Sequence, residues 1–161
     1  MIGRGSIPAD ILFMGEAPGK AEDIMGVPFV GPSGKLLDKL IVDSSLSAGL
    51  EGPPSYYITN AVLCRPFIED QNNDEYFENR EPDREEILKC MKNVMEIARC
   101  VRPKVVIFVG KIAEKYYQKE FSHTIRIFHP AFLLRHGGTS SPYYLSTLRI
   151  LQEIFSKMRK I

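Results

Sequence analysis

Two short, wholly apolar runs constrain the fold most: Ile11-Leu12-Phe13-Met14, which stops at Gly15, and Val105-Val106-Ile107-Phe108-Val109, which stops at Gly110. Such runs read as strands covered on both faces, the pattern of a buried parallel sheet. Tyr56–Val62 and Thr124–Phe128 are two further β-rich runs, the second leading into His129-Pro130. Between and after the strands lie amphipathic stretches at Gly34–Leu46, Arg84–Val101, Lys111–Phe121 and Tyr144–Arg159. This alternation predicts a three-layer α/β/α fold with a central, mainly parallel four-stranded sheet, in one domain spanning residues 1–161. Ligands of such sheets bind beyond the carboxyl ends of the strands, so the turns there are the places to look for chemistry.

Composition narrows the class. With 161 residues and 44% apolar content the chain can bury a core of its own. No apolar run approaches the length of a membrane span, and Met1-Ile2-Gly3-Arg4-Gly5 lacks the features of a signal peptide, so a soluble, cytoplasmic monomer is expected. Cys64, Cys90 and Cys100 form no C-x-x-C pair and are odd in number, which argues for buried thiols or metal ligands rather than a disulfide framework. A net charge of +1 means that any nucleic-acid binding must come from a local basic surface. The acidic stretch from Glu69 to Glu81, with Asn72-Asn73-Asp74 inside it, reads as a surface loop before a helix that has Asp83 near its start.

Four turns carry candidate chemistry. Gly15-Glu16-Ala17-Pro18-Gly19 can bring backbone N–H groups close to a ligand, or can be simply a tight turn. Pro28-Phe29-Val30-Gly31-Pro32-Ser33-Gly34 offers an aromatic ring for stacking and a helix start for a phosphate, although Phe29 reads equally as core. Asn60 ends its strand with an amide suited to the edge of a pyrimidine, or to capping a turn. His129-Pro130-Ala131-Phe132-Leu133-Leu134-Arg135 places an imidazole at a strand end, followed by an exposed-looking apolar pair and an arginine. These suit an acid or electrophile, a wedge and a phosphate contact, while a histidine before proline can also be structural.

Together the blocks G-E-A-P-G with the trailing E-D, P-F-V-G-P-S-G, I-T-N-A-V-L-C-R-P, N-R-E-P, V-G-K-I-A-E and H-P-A-F-L-L-R resemble the uracil-DNA glycosylase superfamily, most closely its family 4, the iron–sulfur type. The resemblance implies an enzyme that hydrolyses the N-glycosidic bond of uracil flipped out of single- or double-stranded DNA. It implies that Phe29 stacks on the base, Asn60 bonds its edge and Glu22 crowds the ring's C5. His129 would stabilise charge growing on the base oxygen. The backbone of Gly15, Ala17 and Gly19, with Glu16, would position water and sugar. In the superfamily's better-known branch an aspartate stands where this chain has Ala17. Leu133, Leu134 and Arg135 would fill the gap left by the flipped nucleotide, and Lys20, Ser33, Lys35 and Arg65 would meet phosphates.

Family 4 holds a four-iron, four-sulfur cluster on four cysteines, the first two in an N-terminal C-x-x-C segment that is missing from this sequence. Cys64 and Cys90 match the other two ligands and Cys100 matches none. A cluster needs four thiolates, so the expectation is no cofactor, with Cys64 and Cys90 as buried apolar residues, unless further ligands are supplied. No histidine lies in Pro66–Gln71, where a related branch carries one that bonds covalently to DNA. Two rival readings are a glycosylase for another deaminated or modified base and a silent DNA- or partner-binding protein on the same fold. A doubly wound nucleotide-binding enzyme would want G-x-G-x-x-G or a P-loop after a strand, and neither is in place.

Overall fold

A computed structural model of the chain describes residues 1–69, 71–72 and 77–158. The four expected strands form a parallel core: β2 (Ile11–Gly15) lies between β3 (Tyr56–Asn60) and β6 (Val105–Val109), and β7 (Thr124–Ile127) pairs with β6. The sheet has five strands rather than four. The additional one, β1 (Arg4–Gly5), runs antiparallel on the outer edge of β3. Two residues leave no hydrophobic period to read, and only the pairing with β3 defines this strand.

Alternation of side chains divides the strands between two cores. Ile11, Phe13, Ile58, Ile107, Val109 and Ile127 face one side. There they meet α2 (Pro32–Ser47), α5 (Pro130–Arg135) and α6 (Pro142–Met158) through Leu37, Leu40, Ile41, Leu133, Leu151 and Phe155. Leu12, Met14, Tyr57, Val106 and Phe108 face the other side, covered by α3 (Arg84–Val101) and α4 (Lys111–Tyr117) through Ile87, Val94, Ala98, Ala113 and Tyr117. Each fully buried apolar side chain of this kind contributes about 1.5–3 kcal/mol, which is why β2 and β6 are apolar almost throughout. The architecture is the three-layer α/β/α sandwich expected.

Local signals set the helix ends. Asp83 accepts the Glu86 N–H at 2.8 Å while Glu86 accepts the Asp83 N–H at 2.9 Å, a reciprocal cap that starts α3. Arg80 grips the same Glu86 carboxylate at 2.6 and 2.8 Å, and together with the capping bond holds its pKa down at about 2. Pro32 opens α2 after Gly31, as proline does at a first helical position. A short additional helix, α1 (Lys20–Met25), follows the first glycine-rich turn. The stretch Lys111–Phe121 ends its α-helix at Tyr117 and continues as a 3-10 turn over Gln118–Glu120.

The acidic stretch is not wholly a loop. Phe67–Glu69 (β4) and Phe77–Asn79 (β5) pair as an antiparallel ribbon. Phe67 and Ile68 are exposed, so the ribbon lacks the alternation of burial that announces a strand. Asp70, Asn73 and Asp74 of that stretch lie outside the described residues, as does Arg159 at the end of the last helix. Among the described residues no helix is long and apolar enough to cross a membrane.

Candidate active site

The carboxyl ends of β2, β3 and β7 converge on a cavity of about 330 Å³, lined by Ala17, Glu22, Phe29, Ser33, Asn60, Asn79 and His129 among others. Asn60 is held there by its backbone. Ala61 N–H donates to the Gly15 carbonyl at 2.8 Å, Val62 N–H to that of Glu16 at 3.2 Å, and the buried Tyr117 hydroxyl to that of Ala61 at 2.8 Å. Asn60 is 3% exposed, and its Oδ1 has no hydrogen-bond partner among the described residues. A buried carbonyl oxygen left unpaired costs about 1–3 kcal/mol. In the wall of a cavity, such an atom can accept from a donor on a ligand.

Phe29 is buried and adopts φ 56°, a left-handed conformation that is rare for a bulky residue and characteristic of functional sites. Its neighbours enforce that turn. Arg4 donates to the carbonyls of Pro28 and Phe29 and is anchored by Asp38 at 2.7 Å. Two glycines make the space: a Cβ on Gly34 would stand 1.9 Å from the Phe29 carbonyl oxygen. One on Gly15 would stand 2.3 Å from the Phe29 ring and 2.6 Å from Asn60 Oδ1. Gly15 therefore serves as the floor on which ring and amide meet.

Glu22 joins two of the loops. One carboxylate oxygen accepts the Gly19 N–H and the other the Gly31 N–H, each at 3.2 Å. The carboxylate is thereby fixed in the cavity wall. Asn79 lies beside it in the same wall, both side chains near Gly19, and its Oδ1 accepts from Arg65 Nε at 2.7 Å.

His129 caps α5: its Nδ1 accepts the Ala131 N–H at 3.1 Å. Burial, and to a lesser degree the charge of Arg135, lower its pKa. The ring is therefore neutral, and with Nδ1 accepting, its proton resides on Nε2, which is left as a donor. The ring lies 6.3 Å from that of Phe29, centroid to centroid. It is both a structural cap and a site residue.

Beyond His129 the cavity continues into a groove of about 580 Å³ that contains Glu16, Glu81, Arg80, Lys111, Arg126 and Arg135. Burial first, then the Glu81 carboxylate, raise the pKa of Glu16. Arg80 and Arg126 are paired with Glu86 and Glu114, whereas Lys111 and Arg135 have no ion-pair partner among the described residues.

The fold thus brings Gly15, Ala17, Glu22, Phe29, Ser33, Asn60 and His129 around one cavity, with Glu16 and Arg135 in the adjoining groove. Lys20 and Lys35 lie on the surface at the starts of α1 and α2, outside both linings, and Arg65, also outside them, donates to Asn79. Leu133 is a correction. It is fully buried in the core beneath α5, because the helix turns it toward α2, and only Leu134, 41% exposed, is free to act as a wedge. Sequence reading missed Arg4, Asn79, Lys111 and Arg126. Arg4 has no local signal at all; Asn79 lay within the N-R-E-P block but without a role.

The thiols also differ from expectation. Cys64 is exposed in the turn after β3, Cys100 is exposed on α3 away from the Val94, Ala98 and Val101 face, and Cys90 is half-buried. Among the described residues no three histidine, cysteine, aspartate or glutamate side chains converge as a metal site. An iron–sulfur cluster asks for four thiolates, so the residues of this chain do not fit one.

The family model described as the uracil DNA glycosylase superfamily matches residues 2–152. A type-4 uracil-DNA glycosylase of Saccharolobus solfataricus is 38% identical over 120 residues, 74% of this chain and 49% of that protein. One from Archaeoglobus fulgidus is 36% identical over 129 residues, 78% of the chain and 57% of its own length, so the chain spans about half the length of these relatives. A third, from Sulfurisphaera tokodaii, is 31% identical over an alignment covering 99% of the chain and 73% of that protein. The crystal structure of Pedobacter heparinus SMUG2 shares the fold, with a TM-score of 0.63 at 15% identity over 95% of this chain and 77% of that one. The chain belongs to the uracil DNA glycosylase superfamily, in the type-4 branch to which its sequence blocks point.

Proposed function

We propose that the protein hydrolyses the N-glycosidic bond of uracil flipped out of DNA. The observation that carries this reading is the unpaired, buried Oδ1 of Asn60 in the cavity wall. Uracil N3 bears a hydrogen that satisfies Oδ1. Cytosine N3 bears none at neutral pH and would set a lone pair against the carbonyl oxygen, so the site rejects it by leaving a buried acceptor unpaired. Phe29 stacks on the ring, and the fixed Glu22 carboxylate stands where a C5 methyl would enter.

In the reaction the bond between C1′ and N1 breaks and the base leaves with the electron pair. His129 Nε2–H donates to the base oxygen on which that charge accumulates; loss of one such donor typically costs about 2.7–4 kcal/mol of barrier. Glu16, as a carboxylate, accepts the proton of the water that adds to C1′, leaving an abasic sugar. Lys111 and Arg135 supply the positive charge of the groove wall for phosphates, with Leu134 as the wedge and Ser33, at the amino end of α2, near the base. Lys20, Lys35 and Arg65 are the more distant candidates for phosphate contacts.

The test is incubation with oligonucleotides carrying one uracil, thymine, cytosine or hypoxanthine, followed by alkaline cleavage at abasic sites. Release confined to uracil, and lost in Asn60→Ala and His129→Ala, is the expected result. Release of another base instead would reassign the pocket, and no release from folded protein would point to a silent binding protein.

A further inference from the structure

Phe128, Phe132 and His136 form a column of stacked rings at the rim of the groove. Phe128 lies on Phe132 at 5.0 Å and 13°, and Phe132 on His136 at 4.0 Å and 26°. Tyr143 closes one side, edge-on to all three at 5.2–5.9 Å. Phe132 is anchored against the core, whereas Phe128 and Tyr143 are 42% and 41% exposed. Neither the β7 edge nor α6 needs these rings in water, and an exposed aromatic cluster held rigid from below is a surface prepared for a flat partner.

Two features identify that partner. Phe128 is next to His129 in the chain, and both line the same groove, so a strand whose uracil sits in the cavity passes the column as it leaves. Lys111 and Arg135, which have no ion-pair partner among the described residues, line that groove as well, cations suited to a phosphate backbone and poorly suited to an apolar peptide. Inside a duplex the faces of a base are covered by its neighbours, so a base that leaves the stack to lie on Phe128 gives up its pairing, and an unpaired base reaches the ring at the least cost.

We propose that Phe128, backed by Phe132 and His136 and flanked by Tyr143, is a stacking platform for an unpaired base beside the flipped nucleotide, so that single-stranded DNA is the substrate class this site takes best. The proposal rests on the glycosylase reading above. Stacking of this kind is indifferent to base identity, because every base has a π-face.

The experiment measures binding by fluorescence anisotropy to single-stranded oligonucleotides that carry one 2′-fluorodeoxyuridine, whose substituent suppresses cleavage. The flanking positions hold either ordinary bases or abasic spacers. Spacers are expected to weaken binding by the wild-type protein about tenfold. Phe128→Leu is expected to bind the base-bearing strand about tenfold less tightly and to be insensitive to spacers, and Phe128→Trp to restore both properties. Should Phe128→Leu fail to fold, the spacer comparison on wild-type protein decides alone. The platform is overturned if spacers cost nothing, if they cost the same in Phe128→Leu, or if duplex binds as tightly as single strand. Uracil release from the ordinary deoxyuridine strand is scored separately. Release without spacer dependence removes only the platform, spacer-dependent binding without release removes only the glycosylase, and no binding removes both.

Discussion

Arg4 holds Phe29 from the far edge of the sheet: its guanidinium donates to the Phe29 carbonyl at 3.2 Å across 25 positions of sequence, and to the Pro28 carbonyl at 2.9 Å. Because Phe29 occupies a left-handed conformation, the turn needs this external support. Arg4→Met keeps the aliphatic packing and removes the donors. Hydrogen bonds from a charged donor contribute about 1.5–3 kcal/mol, so uracil release under single-turnover conditions is expected to fall at least about tenfold. An unchanged rate would show that Phe29 keeps its turn unaided.

Gly15→Ala should uncouple activity from stability. The added Cβ would meet both the Phe29 ring and Asn60 Oδ1, and both must move for it to fit. Overpacking of this kind costs about 1–3 kcal/mol of stability, which a folded domain of this size survives. Excision should be lost, and calorimetry alongside the excision assay separates the two effects.

On the proposed mechanism the acid limb of activity belongs to Glu16. Its carboxyl lies above the ordinary value of 4.5 through burial and the repulsion of Glu81, and it must be ionised to accept the proton of water. The midpoint of the limb in kcat/KM is therefore expected above 4.5. Glu81→Gln should move it to lower pH, and Glu16→Gln should abolish it. A raised folded pKa means that stability is lost as pH rises through that value. Glu16→Gln is accordingly expected to unfold at a higher temperature than wild type at neutral pH and at the same temperature below 4.5.

Leu133 and Leu134 should behave oppositely. Leu133 is fully buried, and its replacement by alanine is expected to cost about 2–5 kcal/mol in denaturant unfolding. Leu134→Ala should leave stability within about 0.5 kcal/mol. It should lower excision from duplex more than from single strand, because only a duplex leaves a gap to fill.

Cys64 and Cys100 are exposed, and Cys90 is half-buried. Under native conditions a chromogenic disulfide reagent should titrate Cys64 and Cys100 rapidly and Cys90 slowly. Slow reaction of Cys64 would mean that another group covers or ligates it.

The amino-acid sequence by itself determined the parallel core, because β2 and β6 are buried on both faces and must be apolar throughout. It also determined α3, whose reciprocal Asp83 and Glu86 cap is local. The cavity residues Asn60 and His129 were legible because each lies at the carboxyl end of a strand, where the fold class places ligands, and Phe29 because it stands in the proline- and glycine-rich turn before α2. Only the tertiary structure decided the rest. The two-residue β1 exists through pairing alone, and Arg4 reaches the site across the sheet. Leu133 and Leu134 are adjacent in sequence yet face core and solvent, and exposed Phe67 and Ile68 form a ribbon that carries no burial pattern. Periodicity records which face of an element is buried. It does not record contacts made across the chain, and those are what leave the Asn60 carbonyl oxygen unpaired in the wall of its cavity.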